Sequence, residues 1–511
     1  CRTGQLRAPS APGGPRARPD LPDGPGGRGG NSMGLVTPVE PEPADQLGAV
    51  HFVGIGGAGM SGIARIMMSR GITVSGSDSA PSGLLDELAA AGARVAVGHA
   101  ADNLGAADTL VVSTAIRPDN PELVAARQRG VRVIHRAAAL ASVMLGYEGI
   151  AIAGTHGKTT TTSMITTVLL HAGADPSYVI GGILAETGLG AAQGAGRAFV
   201  VEADESDGSF LMFTPHAAVV TSVEADHLDN YGTLAAIEAA FAAFAGRLTV
   251  GGFLLASADD PGARALTATV PPGVSALTYG TAAGADYRLT GVEARGMHTA
   301  LTITGGPGTV LAGAGPVRLE IAVPGLHNAR NAAAAFAMTA ELGVAVADVV
   351  AGLAAYRGAR RRMERKGEAD GVQVIDSYAH HPTELAADLA AARDIAGGEP
   401  GRVIAIFQPH LFSRTRIFAA EFGAALGLAD EVLVLDVYAA REDPEPGVTG
   451  RLVADAVPGG GAMFLPDMAT VPAAVAGLAK PGDLVLTMGA GDVTTLGPQI
   501  VAALRERAGG T

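Results

Sequence analysis

The chain has 511 residues, 48% of them apolar and 4% aromatic, with no tryptophan. That length is too great for one core, so about two to four domains are expected. The formal charge of −14 argues against a broad nucleic-acid surface, and the single cysteine, Cys1, excludes an internal disulfide. Residues 1–32 are rich in Pro, Gly and Arg, have no apolar signal core and read as disordered. Met33 is a candidate start, and the acidic, Pro-bearing stretch 33–48 completes a leader over 1–48, taken as disordered. Strand and helix patterns then alternate. "AVHFVGI" and "TVSGSD" flank a helix near Met60–Ser69, and "TLVVSTAI" and "VRVIHRAAAL" follow. A second unit starts at "GIAIAGTHGK" and continues through "AFVVEAD", "AAVVTSV" and "GFLLAS". Residues 286–323 alternate in β fashion and predict a small antiparallel patch, and 324–343 predict a long helix. A third unit from 356 carries "VQVIDSYAHHPTE", "RVIAIFQPH", "EVLVLDVY" and "DLVLTMGAGDV", each a strand whose C-terminal end is polar. Such alternation implies an α/β fold whose ligands gather at the carboxyl ends of parallel strands. No apolar run approaches the ~18 residues of a membrane span, and the chain reads as cytoplasmic.

Two glycine loops stand out. Gly54, Gly56, Gly57, Ala58 and Gly59 belong to a G-x-G-x-x-G turn between a strand and a helix, and Asp78 ends the next strand. Such a turn lets backbone N–H groups approach a phosphate at a helix N-terminus. Alone, it fits a dinucleotide, a nucleotide sugar or a turn that only packs. The second loop, Gly154, Thr155, His156, Gly157, Lys158 and Thr159, reads G-x-x-G-K-T; Ile152 occupies the first-glycine position of the longer phosphate-loop pattern. Its amides can still cradle phosphates, Lys158 can neutralise transferring oxygens and the Thr159 hydroxyl can ligate Mg²⁺. Mg²⁺ needs more oxygen ligands. "VVEADESDGSF" offers Glu202, Asp204, Glu205 and Asp207, and "VTSVEADHLDNYG" offers Asp226, His227 and Asp229. Any one of these carboxylates is more often a solvated loop residue; two acidic strand ends after a phosphate loop favour a metal site.

The segments "HFVGIGGAGMSGIA", "AGTHGKTTTT", "EADESDGSF", "EADHLDNYG", "PGLHNARNAAAA", "DSYAHHPTE", "FQPHLFSRT" and "DVYAAREDP" run in this order from about residue 50 to 492. In that combination the chain resembles the Mur ligase family, in the branch that joins L-alanine to the lactyl carboxylate of UDP-N-acetylmuramate. The resemblance implies an α/β fold in three domains. These are an N-terminal Rossmann-like UDP-binding domain (49–149), a central parallel-sheet ATPase domain with a small antiparallel β patch (150–355) and a C-terminal Rossmann-like, amino-acid-binding domain (356–511). It implies ATP as co-substrate, an acyl-phosphate intermediate, ADP and phosphate as products, and Mg²⁺, with two ions expected. It assigns the first loop, with Met60, Ser77 and Asp78, to the UDP-sugar. The second loop, with Thr160, goes to ATP.

Further roles follow from the same resemblance. Thr159 and Glu202 are the expected ligands of one Mg²⁺, and neutral His227 that of a second. Asn328 and Asn331, three apart on one helix face, lie against the ATP base and ribose. The family contacts γ-phosphate from a paired arginine followed by Phe; here Arg360, Arg361 and Arg362 precede Met363, and Arg361 is chosen. Asp376 binds the ATP ribose or organises its surroundings. Tyr378 and His380 lie near L-alanine, although Ser377 breaks the usual Asp-Asp-Tyr. Leu411 stands where Arg often follows "FQPH", so Arg414, or else Arg416, holds the alanine carboxylate. Lys158, Arg361 and His380 form the expected catalytic set. A close variant attaches a recovered murein peptide in place of alanine. A nicotinamide oxidoreductase would use only the first loop, and a nucleotide-operated switch would synthesise nothing.

Overall fold

A computed structural model describes residues 35–397, 401–440 and 442–509. Three sheets follow one another along the chain. The first holds β1 (Val50–Val53), β2 (Val74–Asp78), β3 (Arg94–Val97), β4 (Thr109–Val112) and β5 (Arg132–His135). They run in the order β3-β2-β1-β4-β5, all parallel. The order reverses at β1, so the switch point of the sheet lies beside the first glycine loop.

The central sheet takes β6 (Glu148–Ala153), β7 (Ser177–Val179), β8 (Ala191–Ala192), β9 (Ala198–Glu202) and β10 (Ala217–Val220). It continues through β11 (Phe253–Ser257), β12 (Ser275–Gly280), β13 (Tyr287–Arg295), β14 (His298–Gly305) and β15 (Val317–Ile321). The order is β15-β14-β13-β12-β11-β10-β6-β9-β7-β8. β13, β14 and β15 are antiparallel neighbours and form the small antiparallel patch that their alternating sequence predicts. β12 pairs in parallel with β13 and carries them into the main sheet. The third sheet comprises β16 (Glu364–Ala369), β17 (Val372–Ser377), β18 (Val403–Phe407), β19 (Glu431–Val434), β20 (Ala462–Phe464) and β21 (Leu484–Met488). Its order is β16-β17-β21-β18-β19-β20, parallel except for the β16–β17 edge.

Burial follows the sheets. The apolar run Ile150–Ala153 is fully enclosed, which a sheet covered on both faces requires. One cluster of buried side chains joins Phe52 and Ile63 of the first domain to Phe199, Phe210 and Phe241 of the second. The other face of the central sheet packs on the helix Leu326–Glu341, whose Ala332–Ala335 are fully buried. Small side chains there let that helix approach the helix Lys158–His171 closely. The third sheet has a cluster on each face, one around Phe407 and Phe422 and one around Ile404 and Val485.

Residues 35–48 correct part of the disordered-leader reading. Ala44 and Leu47 are buried, Ala44–Gln46 form a 3₁₀ turn, and the Val36 N–H donates to the Asp207 carbonyl. The expectation for 1–34 falls outside the described residues.

Candidate active site

The second glycine loop ends β6 and opens the helix Lys158–His171. Gly154 (φ 129°) and Gly157 (φ 81°) adopt conformations that other residues rarely take. A Cβ on Gly154 would collide with Thr221 Oγ1, and one on Gly157 would lie 2.6 Å from Asn331 Oδ1. The Lys158 ammonium donates to the Gly154 carbonyl at 2.6 Å and pairs with Glu205 Oε1 at 2.8 Å. Burial opposes its charge, but the Glu205, Asp204 and Glu202 carboxylates outweigh that and raise its pKa. Lys158 is therefore a cation held at the loop. Thr159 Oγ1 donates to Glu202 Oε1 at 3.0 Å, and the other Glu202 oxygen accepts from the Gly181 N–H at 2.8 Å. A hydroxyl and a carboxylate at this spacing beside a phosphate loop fit an oxygen-seeking Mg²⁺. His227, at positive φ, stands with other partners: its Nε2 lies 3.6 Å from Asp226 Oδ2 and 3.9 Å from Glu205 Oε1.

Two cavities meet at this loop. The larger, about 380 Å³, receives walls from all three domains. Gly59, Arg136 and Leu140 come from the first; Lys158, Thr159, Glu202 and His227 from the second; Tyr378, His380 and Arg414 from the third. The smaller, about 290 Å³, lies between Gly157, Thr160, Asn328 and Asn331 on one side and Met363, Thr383 and Asp388 on the other. Asn328 and Asn331 thus line a cavity together, bonded to each other at 3.3 Å, and Thr161 Oγ1 donates to Asn331.

The third-domain residues converge on the larger cavity. His380 Nδ1 lies 3.0 Å from the Tyr378 carbonyl, which can only accept, so Nδ1 carries the ring proton. Burial pushes the His380 pKa down to about 3, so the ring is neutral and its Nε2 is left as an acceptor. Arg414 is buried and pairs with Asp226 Oδ1 at 3.2 Å. Burial would raise the Asp226 pKa, but Arg414, His227 and His381 hold it well below the usual carboxylate range. Arg416, the alternative, is 54% exposed and pairs with Glu445 at 3.0 Å, away from the cavity. Leu411 lines the cavity at φ 70°.

Three sequence assignments need correction or narrowing. Arg361 does not face the phosphate loop. Its Nη2 donates to the carbonyls of Gly489 (2.6 Å) and Gly491 (3.0 Å), which ties two loops of the third domain together. Arg362 faces the loop instead: its Nη2 is 3.2 Å from Thr159 Oγ1, and it borders both cavities. Asp376 is fully buried, accepts from Thr487 (2.7 Å) and Thr494 (2.6 Å) and lines neither cavity, which favours the second of its two expected roles, organising its surroundings. Ser77 is also fully buried; its hydroxyl donates to Glu122 at 2.7 Å and lies 2.9 Å from His99 Nδ1. Asp78, one residue on, is partly exposed and accepts from the Gly56 N–H at 2.9 Å, which fixes the turn of the first loop. Gly54 and Gly57 complete that turn around the start of the helix Ala58–Ser69, and Met60 is buried in its core.

Sequence reasoning missed two further groups. Arg136 reaches from the first domain to Asp204 of the second at 2.7 Å, beside Gly59. Glu384 accepts from the His380 N–H at 3.1 Å and lies 3.2 Å from His156 Nδ1. An Arg after a strand and a Glu in the first turn of a helix are both common surface features, so neither carries a distinguishing signal.

Three family models match the chain in succession: the Mur ligase family catalytic domain over 49–148, the Mur ligase middle domain over 152–339 and the Mur ligase glutamate ligase domain over 361–491. The UDP-N-acetylmuramate–L-alanine ligase of Thermobifida fusca is 56% identical over 479 residues, covering 92% of this chain and all of that one. A crystal structure of the UDP-N-acetylmuramate–alanine ligase of Thermotoga maritima superposes with a TM-score of 0.75 at 30% identity, covering 90% of this chain and 99% of that one. The murein peptide ligase of Psychrobacter arcticus superposes with a TM-score of 0.66 at 25% identity, covering 89% and 98%. Among the described residues, no helix is long and apolar enough to cross a membrane.

Proposed function

We propose a function from one premise: the chain belongs to the Mur ligase family. It is an ATP-dependent ligase that joins L-alanine to the lactyl carboxylate of UDP-N-acetylmuramate in the synthesis of peptidoglycan precursors. The observation that carries this is the larger cavity, where the second glycine loop faces walls from the first and third domains, and whose size and lining leave room for a phosphate group between two further substrates. Its ATP requirement supports a place in the cytoplasm.

A carboxylate oxygen is a poor leaving group until it is phosphorylated. Transfer of the γ-phosphoryl group to it breaks the bond to the β-bridging oxygen and yields ADP and an acyl phosphate. The amine of alanine then attacks the acyl carbon, and the tetrahedral intermediate expels phosphate as the nitrogen loses a proton. These steps demand alignment and charge neutralisation. In this reading the loop from Gly154 to Thr160 cradles the phosphates, and Lys158 and Arg362 balance the charge of the γ-phosphoryl group. Asn328 and Asn331 take the nucleoside side in the smaller cavity. The first loop and Arg136 hold the sugar nucleotide's diphosphate and carboxylate end. Mg²⁺, held by Thr159 and Glu202, neutralises phosphate charge when bound; a second ion would use His227. Arg414 has N–H groups beyond its one contact with Asp226, and a guanidinium matches a carboxylate bidentately, which suits it to the alanine carboxylate. Burial lowers the His380 pKa and keeps its ring neutral, so its Nε2 can accept from the amine and orient it, with Tyr378 beside it.

Phosphate release from ATP tests the reading. Release should require both UDP-N-acetylmuramate and alanine. Release that needs neither, or that responds to a murein peptide far better than to alanine, would overturn it.

A further inference from the structure

His156 sits inside the phosphate loop, yet its ring turns to the third domain. Its Nδ1 is 3.2 Å from Glu384 Oε1, and its Nε2 is 3.6 Å from Glu224 Oε2. The His381 ring lies against it, with centroids 4.8 Å apart. One ligating atom from each of His156, Glu224 and His381 falls within 4.8 Å of the others, and this is the one such trio among the described residues. His381 is 6% exposed, and its Nε2, like that of His156, is buried without a hydrogen-bond partner. Two buried imidazole nitrogens without a hydrogen-bond partner, on rings that share a carboxylate neighbour, are costly unless something joins them.

Two imidazoles and a carboxylate form a donor set for zinc and its neighbours, whereas Mg²⁺ takes oxygen. The surroundings match such a site. Glu384 holds the far side of the His156 ring, as carboxylates do behind metal-bound histidines, and the Thr383 hydroxyl donates to Glu224 at 3.1 Å. Zinc–nitrogen bonds of about 2.0–2.1 Å require the three side chains to draw together modestly.

We infer that His156, Glu224 and His381 bind a zinc-class divalent cation at the seam between the central and C-terminal domains, apart from the Thr159–Glu202 pair. Its ligands come from the phosphate loop, the segment after β10 and the residue that caps the helix Pro382–Ala396, so binding pins one domain to the other. This goes beyond the proposed function, and its main readout needs no activity.

The test titrates the full chain, free of nucleotide, with CoCl₂, reading the strong visible bands of cobalt with four or five ligands. One cobalt per chain should bind, displaced by ZnCl₂ and not by MgCl₂. His381→Asn and Glu224→Gln should each weaken it by about 10-fold or more, while Glu202→Gln leaves the bands unchanged. Should a variant fail to fold by circular dichroism, X-ray absorption of the zinc-loaded wild type should show two imidazole ligands. Bands that survive both variants, bands lost only in Glu202→Gln, no cobalt bands at all, or fewer than two imidazoles would each overturn the site.

Discussion

Arg361 and Arg362 are adjacent, and their guanidinium groups part at Tyr378. Both stack on its ring, at 4.8 and 5.1 Å, but one continues to the 489–491 carbonyls and the other to Thr159. Arg362→Ala should therefore lower kcat by about 10²–10³-fold, the usual loss when one charge-stabilising donor is removed, and cost less stability than Arg361→Ala, because its contact at the joint exchanges with water. Arg361→Ala should destabilise the third domain by about 1–3 kcal/mol through its orphaned carbonyls, with a smaller effect on turnover. Steady-state kinetics and denaturant melts on both variants check this; the reverse pattern would return the phosphate role to Arg361. A second residue-scale test concerns Glu122, fully buried in the first domain. Burial would raise its pKa, but His51 (3.1 Å), Ser77 (2.7 Å), Asn103 (2.8 Å) and the Ala100 N–H (3.1 Å) bring it to about 2. A carboxyl whose folded pKa lies below its ordinary 4.5 stabilises the fold above that value and loses the contribution as pH falls toward 2. Glu122→Gln should thus lower Tm at neutral pH, and the gap to wild type should narrow as pH drops below about 4.5. A gap independent of pH would show that the network stabilises without its charge.

The same network shows what a sequence can and cannot say about an element. "TVSGSD" marks a strand, and β2 is one, with Ser77 and Asp78 on opposite faces. Alternation says that the two differ; it does not say which face meets the cavity, and Ser77 proved to be the buried one. The glycine loops were legible because positive φ and a following helix leave marks in residue type. Arg361 and Arg362 were not, because a basic run looks alike from either side, and its backbone carries positive φ at Arg361 and Met363 without a glycine. The antiparallel strands β13–β15 were legible by alternation, but their attachment through β12 depends on long-range pairing that no local pattern records. Packing between helices is equally hidden. Gly352, in the helix Val346–Ala355, faces the helix Lys158–His171, and a Cβ there would lie 2.8 Å from Val168 Cα. Gly352→Ala favours helix locally by about 1 kcal/mol, yet backbone cannot yield as a side-chain tip can. Overpacking should win, with a net loss of up to about 3 kcal/mol in denaturant unfolding and a weaker grip on ATP, since that helix begins at Lys158. An increase in stability would mean that the two helices separate at little cost.

At the scale of the whole molecule, the two inter-domain joints differ in kind. The first and central domains share one apolar cluster, so parting them exposes Phe and Val side chains to water. The third domain builds its main clusters from its own buried residues, with Met297 of the central domain packed against one, and meets the phosphate loop through polar contacts: Arg362–Thr159, His156–Glu384, Thr383–Glu224 and Arg414–Asp226. Polar contacts of this sort exchange readily for water, and each is worth about 0.5–1.5 kcal/mol, or about 1.5–3 when charged. Relative motion is therefore expected at this second joint, with the residues at 361–363, two of them at positive φ, as its pivot. The smaller cavity lies across the same seam, with Asn328 and Asn331 on one wall and Met363, Thr383 and Asp388 on the other. A nucleotide that fills it touches both domains and gains most from the closed form, so it shifts the joint toward closure. ATP with Mg²⁺ should then slow amide hydrogen exchange in two separated segments, 154–161 and 379–388, and do so without UDP-sugar or alanine. At about 100 times its Kd it should add about 2.7 kcal/mol to the stability of both domains together. Protection confined to 154–161, with the third domain exchanging as before, would show that ATP binds the central domain alone and that closure waits for another substrate.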